Sequence, residues 1–172
     1  VAWKNVETAL SQMTGAGIVS LKKLLAAKPA RMRSLIRSTG FFRQKEKKLR
    51  FFFSYAAKYR PEGLKVWLER SPLEQLRTEL LGIHGIGPET ADSILLYAGQ
   101  RPKFVIDTYA MRAGERLGWY HKPHYDTAQK FFETNLPKDI HSWQEFHALI
   151  VALCKKHCRK KPVCENCPLL KL

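Results

Sequence analysis

Long apolar runs, a leader-like start and strand-like alternation are all missing or scarce in this sequence of 172 residues. No stretch of about 18 consecutive apolar residues occurs, which argues against a membrane-spanning helix. No charged start leads into an apolar segment, so a secretory leader is not indicated. "KFVI" (103–106) is the one β-branched run of note, and internal repeats are absent. These absences predict a helical protein of the cytoplasm.

Acidic residues are also few, with 15 against 30 lysines and arginines, which gives a formal net charge of +15 and a pI near 9.9. The basic excess is concentrated in segments 30–37, 43–50 and 154–161. A polyanion is the natural partner for such a charge, and nucleic acid fits better than a membrane surface because no free amphipathic tail is evident. Solvated lysine-rich helix faces are the simpler alternative.

Cysteine occurs only four times, and all four residues lie within 14 positions near the end of the sequence: Cys154, Cys158, Cys164 and Cys167. A disulfide scaffold would spread its cysteines along a short secreted chain, so a metal or cluster site is favoured. Four thiolates suit either a [4Fe–4S] cluster or tetrahedral zinc, and the spacing alone leaves both open. Cys154 has a second interpretation, as a buried helix thiol.

The composition is 45% hydrophobic and 11% aromatic, which is sufficient for a packed core. Apolar residues recur at helical spacing through most of the sequence, with glycine and proline marking the breaks. The predicted fold class is therefore all-α. His147 in "EFHALIV" (145–151) is interpreted as a packed residue of one of these helices.

A glycine-rich turn at "HGIG" (84–87) precedes Pro88, which is well suited to the first position of a helix. Glycines permit close approach of a partner, and the free N–H groups of a helix start attract an anion such as phosphate. With the helix that precedes it, this turn predicts a helix-hairpin-helix that grips the DNA backbone. An ordinary helix-to-helix turn is the alternative.

Asp107, in "FVIDTYAMR" (104–112), stands where a helix is expected to begin. Aspartate is a preferred N-cap residue, and capping alone would explain it. A capped carboxylate is also held ionised by the helix dipole and can stabilise an oxocarbenium ion or orient a water molecule. Asp107 is therefore the candidate catalytic residue.

Together, "LLGIHGIGPETADSILLYAG" (80–99), "FVIDTYAMR" and the cysteine tail resemble the endonuclease III superfamily of DNA glycosylases. The resemblance implies a six-helix barrel with the helix-hairpin-helix over residues 1–104 and a smaller helical iron–sulfur domain over residues 105–172. It also implies a cleft between them that receives a base flipped out of duplex DNA. The N-terminal part of the barrel, with part of the base pocket, is expected to be missing from this sequence.

In strand-cutting members of this superfamily a lysine follows the last hairpin glycine by two residues and forms a Schiff base with the sugar. Glu89 occupies that position, which implies a glycosylase without lyase activity; Lys103 is a weaker substitute. "HGIGPETADSILLY" (84–97) most resembles the 3-methyladenine glycosylases, which implies that alkylated purines are removed. An oxidised-pyrimidine or mismatch glycosylase and a non-catalytic DNA-binding module are the alternatives.

The resemblance also implies a set of DNA contacts by a monomeric protein. Phe41 is expected to be the apolar wedge inserted into the duplex, although it could instead be a core aromatic. The remaining expected DNA-binding residues are His84, Gly85, Ile86, Gly87, Glu89, Thr90, Arg43, Lys45, Arg159 and Lys160. For the tail, the resemblance implies an iron–sulfur cluster on Cys158, Cys164 and Cys167, with either Cys154 or a residue beyond Leu172 as the fourth ligand.

Overall fold

Regular structure is entirely helical in the computed structural model, which describes residues 2–170. The α-helices are Trp3–Gly15 (α1), Leu21–Ala26 (α2), Pro29–Leu35 (α3), Phe42–Tyr59 (α4), Leu64–Arg70 (α5), Leu73–Gly82 (α6), Pro88–Ser93 (α7), Thr108–Arg116 (α8), Tyr125–Asn135 (α9) and Ile140–Lys156 (α10). A 3-10 turn follows α3, and a π-helical turn, Ile94–Ala98, continues α7. The all-α prediction is confirmed. Within the described residues, none of these helices combines the length and apolarity needed to cross a membrane.

The chain forms two compact units that do not follow its order. One unit contains the chain up to Trp67 together with Glu79–Ile86, and the other contains Leu68–Thr78 together with the chain from Gly87 onward. The expected domain boundary between residues 104 and 105 falls inside the second unit, and a domain division at that point stays a prediction.

In the first unit, polar side chains hold the long helix α4 at its middle and at its C-terminal end. In the middle, Arg50 pairs with the buried Glu46 and donates to the backbone carbonyl of Leu25 at the end of α2. Near the C-terminal end, the hydroxyl of Tyr55 and Nε of Arg60 donate to Glu79 of α6 at 2.7 and 2.8 Å. These bonds hold the last turn of α6, where the glycine turn begins, against α4.

The second unit has an apolar core centred on Phe104, whose ring stacks on that of Phe132 with 4.4 Å between centroids. Trp143 closes the same cluster with an edge-to-face contact. The other buried members are Leu96, Val105, Ile106, Ala110, Ala113, Ala128, Ile150 and Cys154. This core joins the segment before α8 to α9 and α10.

The segment 104–106 is buried and lies outside the helices, and it is not paired as a strand. Side chains of α9 satisfy its backbone instead: the N–H of Phe104 donates to Glu133 at 3.0 Å, and Gln129 donates to the carbonyl of Phe104 at 2.6 Å. The N–H of Ile106 donates to the hydroxyl of Tyr125 at 3.3 Å. Because buried backbone groups require such partners, this arrangement fixes the residue that follows, Asp107.

Candidate active site

Asp107 caps α8 with one carboxylate oxygen and leaves the other outside the cap. Oδ1 accepts from the backbone N–H groups of Tyr109 and Ala110 at 2.9 and 2.8 Å. The capping role expected from the sequence is therefore present. Only 15% of the Asp107 side chain is exposed, so a partly desolvated carboxylate stands at the positive end of a helix.

His147 of α10 lies beside this carboxylate, with Nε2 3.7 Å from Oδ2 of Asp107. Its other ring nitrogen, Nδ1, is 2.7 Å from the hydroxyl of Tyr97. Burial lowers the pKa of His147, against the opposing charge of Asp107. Sequence reasoning interpreted His147 only as a packed helix residue and missed this neighbour, which lies 40 positions away in the chain. No local pattern marks that contact.

Glu89, in the first turn of α7, interacts electrostatically with Asp107. Partial desolvation, followed by the negative charge of Asp107, raises the pKa of Glu89 above its usual value. The position where strand-cutting relatives are expected to hold a lysine thus carries an acid close enough to sense Asp107. Thr90 beside it is exposed. Lys103 is engaged elsewhere, with Nζ 3.7 Å from Glu133 and 3.8 Å from Glu74.

The helix that carries Glu89 is anchored by Asp92, which is fully buried. Asp92 accepts two bonds from Arg77 of α6, at 2.8 and 3.1 Å. It also accepts from the hydroxyl of Tyr125 at 2.9 Å and from Gln129 at 2.7 Å, both on α9. Tyr125 and Gln129 are also partners of the 104–106 segment, so one polar network places both Glu89 and Asp107. Sequence reasoning did not single out Asp92.

The glycine turn adopts the tight geometry that its sequence indicates. Gly85 has φ of +88°, a region that disfavours side chains, and Ile86 N–H donates to the carbonyl of Ile83 at 3.0 Å. Gly87 is the N-cap of α7 and supplies no side-chain bond to the first-turn N–H groups, while Pro88 opens the helix. His84 and Gly87 are exposed, and Ile86 is half-buried.

Two residues of α4 pack against this turn. The ring of Phe51 meets that of His84 edge-on, with 4.7 Å between centroids. A Cβ atom on Gly85 would lie 2.6 Å from Cγ of Lys48, so the lysine stem covers the glycine closely. Glycine at position 85 is therefore required both by the backbone angle and by the packing of α4.

Phe41 stands at the start of α4 with 80% of its surface exposed, so the core-aromatic alternative is wrong. Its φ of +46° is unusual for a residue with a side chain. Arg43 is exposed, whereas the ammonium of Lys45 donates to the carbonyl of Thr39 at 2.5 Å. Burial lowers the pKa of Lys45.

The four cysteines do not form one ligand set in residues 2–170, where no group of three or more His, Cys, Asp or Glu side chains is arranged to hold a metal ion. Cys154 is buried, and burial followed by the neighbouring Cys158 raises its pKa to about 11. Cys164 is exposed. It shares a turn with Cys167, and the N–H of Cys167 donates to the carbonyl of Cys164 at 2.9 Å.

Two arginines of α8 fasten the loop that begins at Cys158. Arg112 donates to the carbonyl of Cys158 at 2.8 Å. Arg116 donates to the carbonyls of Arg159 and Lys160 at 2.6 and 3.0 Å, and its Nη1 lies 3.4 Å from the sulfur of Cys158. Both loop side chains, Arg159 and Lys160, are exposed.

Residues 1–138 match the model of a protein family described as the HhH-GPD superfamily of base excision DNA repair proteins. The chain therefore belongs to the HhH-GPD superfamily, as a DNA glycosylase of base excision repair. The resemblance noted in the hairpin and in the segment around Asp107 is confirmed. The cysteine tail lies beyond the matched residues.

Relatives extend this similarity over nearly the whole chain. A Methanocaldococcus jannaschii protein, whose name assigns it provisionally to the DNA repair glycosylases, is 41% identical over 169 residues, covering 98% of this chain and 77% of the relative. Endonuclease III of Thermotoga maritima is 26% identical over 149 residues, covering 85% of this chain and 64% of the relative.

Solved structures share the fold. The Helicobacter pylori 3-methyladenine DNA glycosylase bound to 1,N6-ethenoadenine superposes with a TM-score of 0.79 at 25% identity, covering 90% of this chain and 78% of the other. A trapped covalent complex of endonuclease III with DNA superposes with a TM-score of 0.71 at 24% identity, covering 89% and 68%. The second likeness concerns the fold alone.

Proposed function

We propose that this protein is a monofunctional DNA glycosylase that hydrolyses the N-glycosidic bond of an alkylated purine flipped out of duplex DNA. The proposal depends on the presence of two acids in one site. Asp107 is a carboxylate with one oxygen outside its helix cap, and Glu89 is an acid at the position where a nucleophilic lysine is expected. Hydrolysis then requires a water molecule as the nucleophile.

The chemistry follows from the charge that develops on the sugar. As the bond from C1′ to the base breaks, its electron pair leaves with the base, and the sugar becomes an oxocarbenium ion. The ionised carboxylate of Asp107 stabilises that positive charge. Water then adds its oxygen to C1′ and gives up a proton, for which the same carboxylate is the acceptor, and an abasic site remains.

An alkylated purine suits this site because a cationic base leaves as a neutral molecule and needs little help from an acid. Glu89, whose pKa is raised, is a further carboxyl group on which the charge of Asp107 acts. The similarity to a 3-methyladenine glycosylase bound to 1,N6-ethenoadenine supports this substrate class. The similarity to endonuclease III supports the alternative, an oxidised pyrimidine or a mismatched base.

For DNA binding, we propose that the exposed turn at His84 to Gly87 holds a backbone phosphate and that Phe41 enters the base stack. The uncapped start of α7 and the high exposure of Phe41 support these roles. Arg43, Arg159 and Lys160 are exposed cations that can contact further phosphates, and Nε of Arg159 donates to the carbonyl of Lys155 at 2.9 Å. Lys45 is a weaker candidate because its ammonium is bonded to Thr39.

A panel of duplexes, each with one lesion, tests the proposal. The lesions are 3-methyladenine, 1,N6-ethenoadenine, an oxidised pyrimidine and a T:G mismatch, and base release is scored as strand breakage after alkali. We expect release of an alkylated purine, complete dependence of that release on Asp107, and unchanged duplex binding by Asp107→Asn. Asparagine is also a good N-cap, so the variant should keep its fold.

Asp139 offers a matched control, because it caps α10 through a side-chain bond from Ser142 N–H at 2.7 Å. Asp139→Asn should release base at the wild-type rate. If Asp107→Asn released base as fast as Asp139→Asn, the assignment of Asp107 would be wrong. Release from the oxidised pyrimidine or the mismatch alone would favour the endonuclease III-type alternative.

We also propose that Cys158, Cys164 and Cys167 bind an iron–sulfur cluster, with the fourth ligand either Cys154 or a residue after Leu172. The anchoring of the Cys158 loop by Arg112 and Arg116 supports a structural role for this segment. Since metal binding is coupled to local folding, the separate thiols can be drawn together when the cluster is loaded. No step of base removal depends on this group.

Purification without chelators, followed by iron and sulfide analysis, tests the cofactor. We expect about four of each per chain and an absorbance band at about 400 nm. Both should be lost in Cys164→Ala. A colourless protein with one zinc per chain would show that the cofactor is zinc, and Cys154→Ala with full iron content would exclude Cys154 as a ligand.

A further inference from the structure

The geometry around Asp107 points to two further side chains that act on its carboxylate. We infer that His147, held by Tyr97, is a positioning residue that directs one ring N–H toward the free oxygen of Asp107 and keeps that carboxylate aimed for base removal. The inference rests on the proposed role of Asp107. It assigns a role to His147 and Tyr97, which take no part in the helix cap.

The two oxygens of Asp107 have different surroundings. Oδ1 is occupied by two backbone N–H groups of α8. Oδ2 takes no part in that cap and lies 3.7 Å from Nε2 of His147, a separation slightly longer than a hydrogen bond. The contact is therefore electrostatic as it stands, and a small approach of the ring would make it a hydrogen bond.

His147 is poorly satisfied without this contact. Nε2 is buried, and it has no hydrogen-bond partner among the described residues. A buried polar atom without a partner is costly, so the ring is expected to be placed there for an interaction that it completes during the reaction. Asp107 supplies the charge that such an N–H prefers.

Tyr97 selects which nitrogen carries the proton. Burial lowers the pKa of His147, so at neutral pH the ring is uncharged and has a single N–H group. The hydroxyl of Tyr97 lies 2.7 Å from Nδ1 of His147 and 3.4 Å from the carbonyl of Gln144, so Nδ1 is the better acceptor. The pKa of Tyr97 is raised by burial and by Asp107, which keeps its proton in place.

With Tyr97 donating to Nδ1, the ring proton resides on Nε2 and faces Oδ2 of Asp107. The opposite tautomer would turn a nitrogen lone pair toward a carboxylate oxygen in a buried site, which is repulsive. The ionisable groups that act on His147 within the described part of the chain are Asp107, at the start of α8, and Tyr97, in the turn that follows α7.

Single-turnover base release from methylated duplex DNA containing 3-methyladenine tests the inference. We expect His147→Ala to lower the rate constant roughly 10- to 100-fold, as misplacement of a catalytic group does, while the dissociation constant for an abasic duplex is unchanged. His147→Gln keeps an N–H donor and should recover part of the rate. Tyr97→Phe should show a smaller loss in the same direction.

Phe146→Leu provides the matched control, because Phe146 precedes His147 on α10 and packs on Phe104 and Phe132 without being part of the Asp107 site. Its rate should stay within about twofold of wild type. If His147→Ala behaved like Phe146→Leu, or if His147→Gln were as slow as His147→Ala, the positioning role would be overturned.

A second measurement does not depend on activity. Long-range ¹⁵N correlation spectra of the wild-type protein should show His147 as the Nε2–H tautomer at neutral pH, with the Nδ1 shift altered in Tyr97→Phe. The Nδ1–H tautomer would overturn the inference. A wild-type protein that released no base from any duplex would contradict the proposed function, while the Nε2–H tautomer would still support the orientation of Asp107.

Discussion

At the scale of single residues, Glu89 narrows the chemistry more than any other side chain of the hairpin. It lies two residues after Gly87, where strand-cutting members of the superfamily are expected to hold a lysine, and its pKa is raised by desolvation and by Asp107. A carboxyl group cannot form a Schiff base. Lys103 is held near Glu74 and Glu133, so it is not a free amine beside the site.

Borohydride trapping on an abasic duplex checks this reading of Glu89. We expect no covalent adduct with the wild-type protein and a detectable adduct with Glu89→Lys, because the variant supplies the amine at the position used by strand-cutting relatives. Glu89→Gln is the control and should give none. A wild-type adduct that disappears in Lys103→Ala would identify Lys103 as the nucleophile and contradict the expectation.

At the scale of helices, the buried carboxylate of Asp92 joins α6, α7 and α9. Its four accepted bonds come from Arg77, Tyr125 and Gln129. Tyr125 and Gln129 also satisfy the backbone of the segment that leads to Asp107. The network therefore sets the positions of Glu89 and Asp107, two candidate active-site residues, through the segments that carry them.

Removing Asp92 should destabilise the fold strongly, because it leaves Arg77 half-buried without its partner. We expect Asp92→Ala to lower the free energy of unfolding by about 3–5 kcal/mol in urea denaturation. Asp126 is the matched control, since it lies 3.5 Å from the same arginine but is 83% exposed. Asp126→Ala should cost less than about 1 kcal/mol, and equal losses in the two variants would argue against the network.

At the scale of the whole molecule, the net charge of +15 favours electrostatic association with DNA. Attraction to phosphates is independent of base sequence and strengthens association with any duplex. Under the proposed function, specificity for a lesion comes from the site around Asp107, since phosphate contacts position a protein but carry no information about the base.

Salt dependence measures the phosphate contacts. The logarithm of the association constant for an undamaged duplex should fall linearly with the logarithm of the salt concentration, by about 0.9 per phosphate neutralised. Arg43→Ala should reduce that slope by the amount expected for one phosphate, about 0.9. Lys45→Ala, two positions away, should change it less because its ammonium is bonded to Thr39. Equal effects would mean that Lys45 leaves Thr39 to reach DNA.

Much of the local structure could be predicted from the sequence. The regular structure is helical as predicted, Pro88 opens α7, and Asp107 caps α8 as its residue type indicates. These features depend on the backbone preferences and hydrogen bonds of residues within one turn of each other. The wedge and ligand roles of Phe41 and the cysteines depend on DNA and on a cofactor, and they stay predictions.

By itself, the sequence determined the helical class, the tight turn at Gly85 and the capped carboxylate, because each results from interactions between neighbours in the chain. Only the tertiary structure brought His147 to Asp107, joined Arg77 to Asp92 and satisfied the 104–106 backbone with side chains of α9 instead of a second strand. Those contacts join residues 15 to 40 positions apart. They form only when helices pack. That packing depends on burying the apolar groups and hydrogen-bonding the polar groups of the whole molecule together.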